Sequence, residues 1–108
     1  MSAIWFKDYT IDYLEGLRNA NMGEHIGIQF TELGADYLKG RMPVDKRTTQ
    51  PFGILHGGAS CVLSETLGSV SGWMTIDPEK YRAVGLELNI NHIRAVTKGY
   101  VIGICTPL

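Results

Sequence analysis

The spacing of apolar positions changes several times along the chain, and each change marks an expected element. Ile11, Leu14 and Leu17 recur at helical spacing behind Thr10, whose hydroxyl suits a helix cap, so a short helix is expected there. Gly16 weakens it, and Asn21 to Gly23 should end it. From His25 to Thr31 the chain is rich in β-formers, with Ile26, Ile28 and Phe30 alternating. Gly34-Ala35-Asp36 reads as a turn. Tyr37 to Val44 reads as the returning strand, with Leu38, Met42 and Val44 on one face and Lys39 and Arg41 on the other. Pro43 restricts pairing near its end. The two stretches form an expected antiparallel hairpin.

A polar loop from Asp45 to Gln50 and the turn Pro51-Phe52-Gly53 lead to the longest helical pattern, Gly57 to about Trp73. At 100° per residue, Ala59, Val62, Leu63, Thr66, Val70 and Trp73 share one side. The other carries Gly58, Cys61, Glu65, Gly68, Ser69 and Gly72. Glycine inside a helix costs roughly 1 kcal/mol against alanine, so Gly68 and Gly72 imply close approach of something to that side. Asp77-Pro78 breaks the helix. Val84 to Arg94 then alternates, with Val84, Leu86, Leu88 and Ile90 opposite Glu87, Asn89 and Asn91, and reads as a strand. Lys98-Gly99 makes a turn into a last strand, Tyr100 to Cys105. The order is that of an α+β domain, an antiparallel sheet around one central helix, and residues 1–108 read as a single domain.

Composition narrows the function classes. Apolar residues are 44% and charged residues 19% of the 108, which is ordinary for a globular chain. The net charge of −1 lacks the basic excess of a nucleic-acid binder, and no nucleic-acid partner is expected. No apolar run is long enough to span a bilayer, and the N-terminus does not read as a secretory signal, so a cytoplasmic setting and no membrane partner are expected. Cys61 and Cys105 have no metal-ligand spacing and read as reduced structural thiols. A domain this short gains from burying further surface in an oligomer.

The specific chemistry lies in Gln50-Pro51-Phe52-Gly53-Ile54-Leu55-His56-Gly57-Gly58-Ala59-Ser60, and in Glu65. Two glycines open the long helix, where backbone N–H groups have no intrahelical partner and the dipole favours negative charge. The Gly57 N–H can therefore meet a substrate oxygen, as a tetrahedral acyl-transfer intermediate requires. Glu65 is the one carboxylate of this helix and suits a base or nucleophile. It lies eight residues beyond Gly57, about 12 Å along the axis. If both act on one carbonyl, two subunits must supply them, which implies a dimer with two equivalent sites. Ser64 and Ser69 lack the elbow motif of a nucleophilic serine. The plainer alternatives are a satisfied loop histidine at His56, a partly buried one at His92, solvated cations at Arg94 and Lys98, and packing for Trp5, Phe6 and Tyr9.

The run QPFGILHGGASCVLSETLGS resembles the signature of the hotdog-fold thioesterases that act on hydroxybenzoyl-, phenylacetyl- and dihydroxynaphthoyl-CoA, and MPVDKRTTQPFG and VGLELNINHIR resemble further segments of that family. The resemblance runs from Trp5 onward. It implies a hotdog fold, hydrolysis of an acyl-CoA thioester, no cofactor, and a homo-oligomer, a dimer or a tetramer built from dimers. It implies that Gly57 donates the oxyanion N–H, that Gln50 and His56 orient the thioester, and that Glu65 comes from the partner subunit as nucleophile or general base. Ser69 would position water, and His92, Arg94 and Gly58 would lie toward substrate and CoA. The family fold continues through two more strands after the segment matching Tyr100 to Leu108, so a hotdog lacking its last two strands is expected here. Two alternatives stay open, a hydratase or dehydratase on a thioester, and a non-catalytic acyl-CoA-binding module or inactive fragment.

Overall fold

A computed structural model describes residues 2–108. Its elements run α1 (Ile11–Gly16), α2 (Met22–Ile26), β1 (Gln29–Leu33), β2 (Leu38–Pro43), α3 (Gly57–Met74) and β3 (Tyr100–Cys105). The three strands form an antiparallel sheet in the order β1-β2-β3. The α3 helix lies across one face of it.

The N-terminal third departs from the expectation between the end of the first helix and the start of the first strand. Thr10 caps α1 as expected, its side chain accepting from the Tyr13 N–H at 3.2 Å. That helix ends at Gly16 with Leu17 as its C-cap, short of Asn21 to Gly23, which begins a second helix instead of stopping the first. The Asn21 side chain accepts from the Gly23 N–H and starts α2, which Gly27 closes in the left-handed region at φ 80°. His25 and Ile26 are therefore helical, not the beginning of a strand, and β1 starts at Gln29. The alternation of Ile26, Ile28 and Phe30 spans a helix end, a connector and a strand that all face one core, so burial at every second residue survives without a continuous extended backbone.

The hairpin follows the expected faces. Leu38 and Met42 are fully buried and Val44 nearly so, while Lys39 and Arg41 are on the outer side. Pairing of β2 with β3 ends at Pro43 against Tyr100. The helix approaches the sheet through Leu63, Leu67, Ser71 and Met74. Leu67 was not among the residues expected on the buried side, and it makes the closest contact. A Cβ on Gly40 would fall 2.9 Å from it, and one on Gly103 would fall 2.5 Å away. Glycines facing each other in β2 and β3 thus form the groove in which Leu67 sits. Helical spacing alone located the buried side to within a quarter turn, and the sheet's glycines chose the stripe. The chain before α1 closes this layer, with the Phe6 N–H on the Met74 carbonyl at 2.7 Å and the Trp5 indole on the Gly34 carbonyl at 2.8 Å. Tyr9 packs on Trp73 as expected, whereas Phe6 is half exposed.

The expected strand at Val84 to Arg94 is the main correction. Residues 82–96 run beside α3 without regular secondary structure, and no strand pairs with them among the described residues. Val84 is 86% and Leu86 99% exposed. Alternation records which side chains seek cover. A ladder also needs a neighbouring backbone, which these residues do not find among the described residues. The outer edge of β3 likewise has no partner among the described residues.

Candidate active site

The loop before α3 is held by its own backbone. Thr48 is buried and donates its hydroxyl to the Pro43 carbonyl at 2.6 Å. The His56 N–H bonds the Thr48 carbonyl at 2.8 Å, and Thr49 and Leu55 form an isolated antiparallel bridge. Between them the chain turns through Gly53 at φ 84°, and the Gln50 side-chain oxygen accepts from the Phe52 N–H. The Leu55 N–H reaches across to the Val96 carbonyl at 2.7 Å, which ties the end of the 82–96 stretch to the start of α3.

His56 is the N-cap of α3, a role not anticipated for it. Its Nδ1 accepts from the Gly58 N–H at 2.8 Å, which leaves the ring's other nitrogen to carry the proton of the neutral form. Histidine is outside the usual Ser, Thr, Asp and Asn caps, so composition offered no signal. The Gly57 N–H makes no hydrogen bond among the described residues. Both glycines answer to histidines. A Cβ on Gly58 would fall 2.9 Å from the His56 ring, and one on Gly57 would fall 2.7 Å from His92 Nε2. Neither glycine is in the left-handed region. Each lets an imidazole lie against the helix entrance.

Two clefts divide the expected site residues. The first, about 350 Å³, is lined by Gln50, Gly57, Ser60, His92 and Arg94 among others. It joins an unpaired N–H, a side-chain amide, an imidazole and a guanidinium that makes no ion pair among the described residues. That set suits an oxyanion and a phosphorylated ligand. The second, about 200 Å³, holds Glu65 and Ser69 with Ser64, Gly85, Glu87 and Leu88. The Glu65 carboxylate is exposed and takes part in no hydrogen bond or ion pair among the described residues. Gln50, Gly57, His92 and Arg94 are thus together, Glu65 and Ser69 are together, and one chain does not bring the two sets onto one point. His56 and Gly58 belong to the cap between loop and helix.

Gly85 is a site residue that the sequence reading passed over. It packs against the Glu65 carboxylate, and its signal was available as a glycine interrupting an alternating stretch, which marks close approach of another group.

Known proteins bear on this arrangement. The sequence profile described as Thioesterase superfamily matches residues 52–108. A curated Escherichia coli protein named 1,4-dihydroxy-2-naphthoyl-CoA hydrolase is 47% identical over 97% of this chain and 76% of its own length. The crystal structure of a glutamine-to-alanine mutant of a Pseudomonas aeruginosa thioesterase superimposes with a TM-score of 0.94 at 38% identity, covering 96% of this chain and 75% of that one. A Staphylococcus aureus protein was solved as a glutamine-to-alanine mutant and as a glutamate-to-alanine mutant, the two positions fifteen apart. These match at TM-scores of 0.74 and 0.75 and 35% and 36% identity, over 77% and 78% of this chain and 69% of each of those. The fold, the profile and relatives sharing nearly half of its residues agree with the expectation of a hotdog-fold thioesterase, and the chain belongs to the Thioesterase superfamily.

Proposed function

We propose that this chain hydrolyses an acyl-CoA or aroyl-CoA thioester to the free acid and CoA, at a site completed by a second copy. Glu65 takes a proton from water, and the water oxygen bonds to the thioester carbon. The carbonyl electron pair moves onto oxygen, where the Gly57 N–H receives it. The intermediate then reforms the carbonyl, the carbon–sulfur bond breaks, and the CoA sulfur leaves with the proton from Glu65. A direct attack by the Glu65 carboxylate, followed by hydrolysis of the resulting anhydride, uses the same residues. Gln50 and His56 orient the thioester, Ser69 holds water beside Glu65, and His92, Arg94 and Gly58 face the CoA portion. The chemistry calls for no cofactor. The free thiols Cys61 and Cys105 suit a reducing cytoplasm. The E. coli relative's name favours an aromatic acyl group.

The observation that carries this reading is the unpaired Gly57 N–H in a cleft with Gln50, His92 and Arg94. The spacing of the mutated glutamine and glutamate in the S. aureus protein also supports it, because Gln50 and Glu65 are fifteen positions apart as well.

The unpaired 82–96 stretch supports the second copy. Gly85 lies against Glu65, and His92 lies against Gly57. If two copies pair antiparallel along this stretch about an axis between Leu88 and Asn89, Gly85 of one falls opposite His92 of the other. Each Glu65 half-site is then carried toward the other copy's Gly57 half-site. Such an isologous pairing also gives the exposed edge its ladder. Two such dimers then form the expected tetramer.

Subunit mixing tests the shared site. Glu65→Ala and Gln50→Ala chains should each release CoA from an aroyl-CoA roughly 10²–10⁴-fold more slowly than the parent. After exchange, mixed dimers carry one intact site, and about a quarter of the parent rate should return. Inactive single variants that stay inactive after verified exchange would place both groups in one subunit. An active Glu65→Ala chain would remove Glu65 from the chemistry.

A further inference from the structure

Gly85 has no backbone reason to be glycine. Among the described residues the glycines in the left-handed region are Gly27, Gly53 and Gly99. Within its own chain Gly85 has no packing reason in the core either, since its stretch is exposed and pairs with no strand among the described residues. Two atoms lie within 4 Å of where its Cβ would stand, and both belong to Glu65. They are Oε2 at 2.7 Å and Cδ at 3.8 Å. The carboxylate rests in the space that a side chain at position 85 would fill.

That contact matters because little else holds Glu65. Its carboxylate has no hydrogen bond or ion pair among the described residues, and a glutamate side chain has three rotatable bonds. The other residues lining its cleft include Ser64, Ser69, residues 83–85, Glu87 and Leu88. We propose that Gly85 is a positioning residue for the thioester hydrolysis. By presenting bare backbone, it sets where the Glu65 carboxylate rests and lets it lie flat against the 83–88 edge. The inference deepens the Glu65 reading and rests on it.

The substitution that tests it is Gly85→Ala. A methyl group there forces Oε2 outward by about the shortfall from van der Waals contact, and a misplacement near 1 Å costs on the order of 100-fold in rate. The backbone accommodates alanine without strain, and the unfolded chain loses entropy, so stability should hold or rise slightly. The expected result is kcat for CoA release lowered about 10–100-fold, KM within about twofold of the parent, and an unchanged or higher thermal midpoint. A second comparison separates a steric push on the carboxylate from a general effect on the stretch. In a Glu65→Asp background the shorter side chain no longer reaches position 85, so adding Gly85→Ala should change the single-turnover rate by less than about twofold. Parent-like kcat in Gly85→Ala, a change in KM alone, or an equal loss in both backgrounds would overturn the proposal. Glu65→Ala distinguishes the two layers. If it is inactive while Gly85→Ala is fully active, only the positioning role fails. If it keeps parent activity, the Glu65 reading fails first.

Discussion

Residues 38–43 and 84–94 carry the same kind of sequence signal, and the molecule treats them oppositely. Both alternate apolar and polar side chains over a strand's length. In β2 the alternation is realised, with Leu38 and Met42 buried, β1 bonded on one edge and β3 on the other. In the 84–94 stretch, Val84 and Leu86 are open to solvent and no ladder forms among the described residues. The first region finds neighbours a few residues away in a hairpin and across the chain in β3. The second lies against α3 and pairs with no strand among the described residues. Alternation therefore reports a demand for burial and pairing. Whether one chain meets that demand depends on what the fold places alongside.

Substitutions on the two stretches should behave as differently as their surroundings. The largest effect is expected in β2. Met42→Ala should lose about 2–5 kcal/mol of unfolding free energy, a large part of the roughly 5–15 kcal/mol of an ordinary domain, read from the urea midpoint. An unaltered midpoint would mean that β2 is not the structural centre it appears from its burial.

The second effect is one of association. Asn89→Pro removes a backbone N–H from the middle of the open stretch, where that N–H makes no backbone hydrogen bond among the described residues. If two copies pair along this stretch as proposed, it should leave the circular dichroism spectrum unchanged, reduce the sedimentation mass to that of the single chain, and abolish CoA release. A variant that keeps its mass and turnover would move the shared interface away from residues 84–94.

The smallest effect lies in the loop joining β2 to the site. The Arg47 side chain beside Asp45, with Nη2 on Oδ2 at 2.7 Å, and the Arg47 backbone N–H lower the Asp45 pKa from 3.8 to about 2. A carboxylate whose folded value is depressed stabilises above its unfolded pKa, and that stabilisation is lost as pH falls through the folded value. The thermal midpoint of the parent should therefore exceed that of Asp45→Asn at pH 5, and the gap should close between about pH 3.8 and 2. Both side chains reach solvent, so the gap should be small and should shrink in salt. A gap that persists at pH 2 would assign the stabilisation to something other than the charge.

Much of the site was legible in the sequence because helix entrances have local grammar. Two glycines at the start of α3 and a lone carboxylate along it follow from spacing, and the structure leaves the Gly57 N–H unpaired, as that grammar implies. His56 and Gly85 were less legible. His56 caps the helix through a ring nitrogen, which propensities do not favour. Gly85 is explained only by the Glu65 side chain that reaches it from another element. Leu67 was missed for a related reason, since Gly40 and Gly103 lie far from it in the chain and together make the groove it fills.

By itself, the sequence determined the start of α1 and the extents of β2, α3 and β3 to within a residue or two. It also determined the placement of Lys39 and Arg41 on the outer face of β2, and the gathering of candidate chemistry between Gln50 and Glu65. These depend on hydrogen bonds and side-chain periods that operate within a few residues. Only the tertiary structure decided that His25 and Ile26 close a helix, that Leu67 leads the helix–sheet contact, that the candidate site residues fall into two clefts, and that the 84–94 stretch has no partner strand among the described residues. Each of those depends on which backbone or side chain arrives from elsewhere, and a residue's own period carries no record of its distant neighbour.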